Sequence, residues 1–140
     1  MKVLPSILRR RPRFCFGMWI VAIVALVVPW RSWQDHAHWD RIRWVPFVSA
    51  PVTVRDVIGN ILLYVPFGYF GYSHSRGRAW LIGGGAVILS CTTESWQIWS
   101  HGRFPSVQDV LMNIAGAAAG IALARSIDVS RSGRDEDQIS

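Results

Sequence analysis

The sequence predicts an all-α protein, namely a polytopic membrane protein whose four transmembrane helices form one bundle made of two helical hairpins. Of its 140 residues, 51% are hydrophobic and 17% are charged, a composition too apolar for a soluble domain of this size. Four segments are long enough to cross the hydrocarbon core of a bilayer, which is about 30 Å thick. Eight tryptophans suit the interfacial belts of such a protein.

The four segments follow one another along the chain and are each interpreted as one helix. The first is an almost uninterrupted apolar run, whereas polar residues interrupt each of the other three. Together the four segments leave almost nothing from which a soluble core could be built. The predicted spans are residues 14–30, 54–72, 79–99 and 107–124.

Proline and glycine residues shape the predicted bundle. Pro66 lies inside the second helix and has no amide hydrogen, so the carbonyl of Leu62 loses its helical partner and the helix should bend there. Two glycine-rich surfaces suit close helix packing. One consists of residues 83–85, and the other is formed by Gly116 and Gly120 in the fourth helix.

Lysine and arginine residues set the predicted orientation and explain the net charge of +6. With the N-terminus in the cytoplasm, ten of them lie on the cytoplasmic side and five lie outside, as the positive-inside rule requires. The basic excess is therefore a topology signal with some attraction to anionic lipid, and no nucleic-acid partner is expected. The outer set is Arg31, Arg41, Arg43, Arg55 and Arg103.

Three regions follow from this topology. Residues 1–13 form a basic cytoplasmic segment, and residues 14–125 form the four-helix membrane domain. Residues 126–140 form a polar, aperiodic tail that is expected to be disordered. Both termini are predicted to lie in the cytoplasm.

A nine-residue segment occurs twice, at residues 53–61 and again at residues 106–114. Both copies carry an aspartate and, four residues later, an asparagine, so that Asp56 with Asn60 corresponds to Asp109 with Asn113. This spacing puts the two polar side chains on one face of a helix, about one turn or ~6 Å apart in depth. Because both helices run from outside to inside, the repeat predicts equivalent positions in two parallel helices.

Polar residues of the last three helices should converge at the outer end of the bundle. Placing carboxylates, amides and an arginine against lipid is expensive, so they are expected to line a wet cleft between helices. The candidate ligand-binding residues are Asp56, Asn60, Glu94, Gln97, Arg103, Asp109 and Asn113. Glu94 and Asp109 are also the candidates for a catalytic acid or base.

Structural roles compete with these functional ones. Thr53 with Asp56, and Ser106 with Asp109, have the spacing of capping boxes. The asparagines sit at a depth where an amide commonly bonds to a neighbouring helix. Glu94 lies near the end of the third helix, where the helix dipole disfavours an anion, so it is either paired with Arg103 or functional.

No metal or cofactor is predicted. The outer loop contains His36 and His38 between two aspartates, Asp35 and Asp40, but an H-x-H pair alone is a weak zinc signal. Cys15 and Cys91 lie apart in two apolar segments without metal-ligand spacing.

The polar residues and the glycines resemble the VanZ-like family of small bacterial membrane proteins. The resemblance covers residues 56–124, about half of the chain, with motifs that match in order and spacing. The family often has an aspartate three residues after the arginine, where this chain has Ser106, and this departure favours capping. The matching positions are Asn60 with Pro66, Phe67 and Gly68; Glu94 with Gln97; and Arg103 through Asp109 with Asn113, Gly116 and Gly120.

The resemblance implies a multi-pass protein of the bacterial plasma (inner) membrane. The member that gave the family its name is associated with low-level resistance to the glycopeptide teicoplanin, so the setting it implies is the cell envelope and antibiotic resistance. It supplies a fold and a setting rather than a reaction.

Three functions are compatible with the sequence, and membrane lipids are partners in all of them. The favoured one is an accessory or binding protein whose outward-facing polar cleft binds a lipid-linked envelope precursor or a glycopeptide. The second is a membrane enzyme acting on a phosphorylated or lipid-linked envelope substrate, in which Arg103 holds an anion. The third is a structural subunit of a membrane assembly, in which the polar cluster joins helices.

Overall fold

A computed structural model describes residues 12–28, 34–48, 53–101 and 104–137, and for 131–137 it describes the backbone alone. In these residues the helices are α1 (Pro12–Val27), α2 (Val54–His74), α3 (Ala79–Gln97) and α4 (Val107–Asp137). A short 3₁₀ helix at Trp39–Arg41 lies in the connection between α1 and α2. The predicted all-α class is confirmed over this part of the chain, with each helix on its predicted segment.

Among the described helices, α4 has both the length and the hydropathy of a membrane span. Its apolar part, Val107–Ser130, has 24 residues. Helix α1 is apolar but has 16 residues, which is short for a span. Helices α2 and α3 have 21 and 19 residues, but their polar residues lower their hydropathy. The four-span bundle therefore stays a prediction at this point.

Helix α4 extends into the segment predicted as the polar tail. The helix continues through residues 126–137, where the sequence predicts disorder. Extending an existing helix costs much less than starting one, so a polar segment can follow an apolar helix without a break. Two serine hydroxyls in this stretch also donate to helix carbonyls, Ser126 to Leu123 at 2.9 Å and Ser130 to Ser126 at 2.8 Å.

Helices α2 and α4 run parallel and make the most extensive helix–helix contact in the described residues. Gly116 lies against the backbone of Ile61, and Gly120 lies against that of Val65. A Cβ atom on either glycine would overlap the facing carbonyl oxygen. On α2, Gly68 meets the carbonyl of Ala117 in the same way. The close packing predicted for Gly116 and Gly120 is present.

The glycines at 83–85 do not form the second packing surface that the sequence predicts. Gly83 and Gly84 have nothing within 4 Å of a Cβ position, and Gly85 has only the Phe67 ring, at 3.7 Å. Helix α3 packs instead through residues on its other face, such as Ile82 and Ala86, which are buried. Three consecutive glycines spread around most of a helical turn, so they cannot all face one neighbour.

A side chain of α1 forms a hydrogen bond with α2 close to Pro66. The indole N–H of Trp19 donates to the carbonyl of Leu63 at 2.6 Å. This carbonyl is next to that of Leu62, which Pro66 deprives of its amide donor. The break in the α2 hydrogen-bond ladder thus coincides with the point where α1 is attached.

Replacing Gly120 with alanine should destabilise the protein, because the added methyl group must push apart the backbones of α2 and α4. We expect a loss of about 1–3 kcal/mol, the usual cost of overpacking. Gly84→Ala is the matched control, and it should be neutral or slightly stabilising, because Gly84 faces open space and alanine favours helix. Thermal unfolding of both variants in detergent measures the difference. Equal unfolding temperatures would show that the close contact is not needed.

Candidate functional site

A cleft of about 540 Å³ opens at the end of the bundle where α1 and α3 end and α2 and α4 begin. Polar and charged groups share its wall with several apolar side chains. The lining residues are Leu26, Val27, Arg43, Arg55, Asp56, Gly59, Asn60, Leu63, Gln97, Phe104 and Asp109.

Four of the seven predicted ligand-binding residues line this cleft. They are Asp56 and Asn60 from α2, Gln97 from the end of α3 and Asp109 from the first turn of α4. The two aspartates of the repeated segment therefore border the same space. Glu94 and Asn113 are buried between helices and do not line it, and Arg103 lies outside the described residues.

Glu94 holds the beginning of α4. Its side chain is 7% exposed, and its Oε2 atom accepts a hydrogen bond from the backbone N–H of Ser106 at 2.8 Å. Ser106 directly precedes α4, so the carboxylate lies at the positive end of that helix dipole. The dipole of α4 thus stabilises the Glu94 carboxylate, whereas the dipole at the end of α3 disfavours it.

This bond changes the interpretation of Asp109. In a capping box the carboxylate of the third helical residue accepts from the N–H of the capping residue, which here would join Asp109 to Ser106. The Ser106 N–H bonds to Glu94 instead, and Asp109 borders the cleft. In the first copy of the repeat, the side chain of Thr53 makes no capping bond. Side-chain capping at Thr53, one of the two roles that the spacing allows, is therefore not observed.

The two asparagines of the repeat have different surroundings. Asn113 is 2% exposed, and its Nδ2 atom donates to the Ser90 hydroxyl of α3 at 2.9 Å. Asn60 is only partly buried and lines the cleft. The Asn113 amide therefore joins two helices, which is the structural role that the sequence analysis considers. The Asn60 amide is open to a ligand.

Two arginines of the cleft, Arg43 and Arg55, are missing from the predicted set of site residues. Arg55 adjoins Asp56 in the repeated segment, and its counterpart in the second copy is Gln108. The side chain of Gln108 accepts from the backbone N–H of Phe47 at 3.0 Å. This position therefore holds the loop between α1 and α2 in one copy of the repeat and borders the cleft in the other. The sequence feature that identifies Arg55 as a site residue is its position next to Asp56, the duplicated aspartate.

Arg43 reaches the cleft because the loop between α1 and α2 pairs with the chain that leads into α4. The Arg43 N–H donates to the Pro105 carbonyl at 2.8 Å, and its carbonyl accepts from Val107 at 3.1 Å. The guanidinium groups of Arg41 and Arg43 lie over the Phe104 ring, 5.7 and 5.0 Å from its centroid. Pairing between distant segments has no local sequence signal, so the sequence could not reveal Arg43.

Three histidines meet where the loop between α1 and α2 lies beside the end of α3. The ring centroid of His38 lies 4.6 Å from that of His36 and 5.1 Å from that of His101. Burial lowers the pKa of His38, and the charges of Arg41, His36 and His101 lower it further. No group of three or more potential metal ligands has suitable geometry in the described part of the chain.

The cleft can hold an amphipathic molecule. Arg43 and Arg55 supply guanidinium donors for phosphate or carboxylate groups. Asp56 and Asp109 accept from hydroxyl or amine groups, and the amides do both. The apolar side chains at one part of the wall are suited to a hydrocarbon or a ring.

These features define a small helical protein with a charged, partly apolar cleft at one end of its bundle. The family model described as VanZ/LLP1 matches residues 14–128, and the chain belongs to this family. The match includes α1, so it extends beyond the motifs at 56–124 that carry the resemblance in the sequence. No curated protein matches the chain, and no solved structure does.

Glu94→Ala should destabilise the protein by about 1–3 kcal/mol, because the buried Ser106 N–H would lose its acceptor. Glu94→Gln should cost clearly less, because the glutamine oxygen can still accept that bond. Asp56→Ala serves as the control on an exposed carboxylate of the same cleft and should stay within about 0.5 kcal/mol of the parent. Thermal unfolding of the purified variants checks this order. If glutamine were as damaging as alanine, the charge rather than the hydrogen bond would be the important property.

Proposed function

We propose that this protein is a multi-pass membrane protein of the bacterial envelope whose outward-facing cleft binds the polar end of a lipid-linked ligand. The observation that carries the proposal is the composition of the cleft wall. Guanidinium, carboxylate and amide groups share it with the apolar side chains of Leu26, Val27 and Leu63. Such a wall suits a molecule that combines a charged head with a hydrocarbon chain.

Outward-facing apolar side chains support a bilayer location for all four helices. In α1, Phe14, Met18 and Val21 recur at helical spacing and are 64, 55 and 64% exposed. In water such surfaces would cause aggregation, whereas in a bilayer they face lipid. Further exposed apolar residues are Val54, Ile58 and Leu62 in α2; Trp80, Leu81, Val87, Ile88 and Trp96 in α3; and Leu111 and Leu123 in α4.

The proposed orientation places the cleft outside the cell and both termini in the cytoplasm. Arg43 and Arg55 at the cleft belong to the smaller, outer set of basic residues. Arg76 and Arg78, in the connection between α2 and α3, lie at the other end of the bundle and belong to the larger, cytoplasmic set. The positive-inside rule supports this arrangement.

The environment of Glu94 favours binding over catalysis. One of the two candidate acid/base groups is buried and already accepts a hydrogen bond from a backbone amide. The other candidate, Asp109, borders the cleft, where it can accept from a ligand hydroxyl or amine. We therefore assign the cleft to recognition of an envelope lipid, with any effect on glycopeptide resistance following from that binding.

Cysteine labelling tests the orientation. After both native cysteines are replaced by alanine, a membrane-impermeant maleimide added to intact cells should modify Asp35→Cys and leave Ser75→Cys unmodified. Asp35 lies in the loop before α2 and Ser75 in the turn after it, so the two positions are separated by one helix. Permeabilised cells provide the control, in which both should react. Labelling of Ser75→Cys alone in intact cells would reverse the orientation, and equal labelling would remove the α2 span.

Ligand binding is tested with a polyprenyl phosphate and the corresponding uncharged polyprenol. The phosphate should bind more tightly, and Arg55→Gln should weaken it about tenfold or more, since a hydrogen bond to a charged group contributes about 1.5–3 kcal/mol. The matched control is Arg78→Gln, which removes an exposed arginine at the opposite end of the bundle. Native mass spectrometry of the detergent-solubilised protein measures the affinities. Equal affinity of the phosphate and the alcohol, or equal losses in the two variants, would contradict the proposal.

A further inference from the structure

The loop between α1 and α2 carries an apolar tip at residues 44–48, where the chain turns beside the start of α4. Four large apolar side chains of this tip are exposed. The exposed fractions are 68% for Trp44, 54% for Val45, 55% for Phe47 and 77% for Val48. A run of exposed apolar side chains of this kind marks an interaction surface.

The backbone of the apolar tip is held in a conformation that its sequence does not favour. Phe47 has a φ of 64°, in the left-handed region, where a bulky residue is rare and strained. The Phe47 N–H donates to Oε1 of Gln108 at 3.0 Å, and the backbone of Arg43, just before the tip, is paired with the chain that leads into α4. The apolar side chains are therefore exposed on a turn that α4 holds in place, and not on a loose loop.

The bond to Gln108 places the apolar tip at the end of the outward-facing side of α4. Gln108 is the second residue of this helix, which has the length and hydropathy of a membrane span. Leu111, Ala115 and Ala118 follow Gln108 at helical spacing on the same face, and all three are exposed. In a bilayer this face borders lipid from Leu111 inward, so the tip lies where the hydrocarbon ends.

The outward-facing side of α2 begins shortly after the apolar tip in the sequence. Val54, Ile58 and Leu62 recur at helical spacing and are 70, 49 and 61% exposed. The tip is thus joined to two apolar surfaces, to that of α4 by a hydrogen bond and to that of α2 through residues 49–53. This continuity indicates that the same apolar medium, the bilayer, covers all three.

Two arginines border the apolar tip on the side of the cleft. Arg43 directly precedes the tip and lines the cleft, and Arg41 lies two residues earlier. Both guanidinium groups lie over the Phe104 ring, which is itself 38% exposed. Tryptophan, apolar side chains and arginine occur together in segments that lie in the membrane interface, where lipid phosphates accept from the guanidinium groups.

We propose that the apolar tip inserts into the outer leaflet of the bilayer and that the cleft thereby opens sideways to the lipid headgroups. Trp44, Phe47 and Val48 reach about 5–10 Å into the boundary between headgroups and acyl chains, the usual depth of such segments. Arg43 then lies at the level of the phosphates. A lipid-linked ligand presents its polar end to the cleft while its hydrocarbon chain stays in the membrane. This inference rests on the membrane location in the proposed function and adds the route by which the ligand arrives.

Electron paramagnetic resonance of the full-length protein in phospholipid nanodiscs tests this proposal. Both native cysteines are replaced by alanine, and a nitroxide spin label is attached to Val48→Cys, an exposed position where the label disturbs little packing. Molecular oxygen concentrates in hydrocarbon, whereas a neutral nickel chelate stays in water, so the ratio of their collision rates with the label reports its depth. The ratio at Val48→Cys should be several times that at Asp35→Cys, an exposed position of the same loop outside the apolar tip.

A label on Leu62→Cys, on the outward-facing side of α2, separates this inference from the proposed function. It should give the highest ratio of the three, because Leu62 lies near the middle of its helix. A high ratio at Leu62→Cys with equal, low ratios at Val48→Cys and Asp35→Cys would overturn the insertion of the tip and leave the bilayer location of α2 intact. A low ratio at Leu62→Cys would overturn that location and the inference with it. Low collision rates of both reagents at Val48→Cys would show that protein covers the tip, which would also overturn the inference.

Discussion

The direct contact between the backbones of α2 and α4 is the constraint on which the rest of the structure depends. Gly116 and Gly120 bring α4 so close to α2 that a side chain at either position would overlap a carbonyl oxygen. Close approach of this kind strengthens dispersion contacts and allows Cα–H···O interactions, which matter most where no hydrophobic force drives helices together. It also fixes the depth of one helix relative to the other, and thereby places Asp56 and Asp109 on the same cleft.

The remaining elements are attached around this pair by a few directed hydrogen bonds. Trp19 joins α1 to α2 beside the proline, and Glu94 joins the end of α3 to the start of α4. The loop between α1 and α2 is joined to the chain before α4 through the backbone of Arg43. Each of these bonds lies at or near the cleft end, and the acceptor of the Trp19 bond, Leu63, itself borders the cleft. The walls of the site are thus held by groups distant from one another in sequence.

The sequence could predict the features that local pattern encodes. Apolar runs located the helices, and the small residues Gly116 and Gly120 marked a packing face because they recur at helical spacing. The pattern could not distinguish Asn60 from Asn113, since both occupy the same position in a repeat and only their neighbours differ. It also missed Arg43, which reaches the cleft through pairing between distant segments. Tertiary context decided both cases.

The order in which the chain is synthesised gives the α2–α4 contact a further consequence. Helix α2 leaves the ribosome long before α4, so its glycine-accommodating face spends that time without its partner. Asn113, which bonds to α3, is likewise made last. The bonds from Asn113 to Ser90 and from Ser106 to Glu94 therefore form only after the final helix is released.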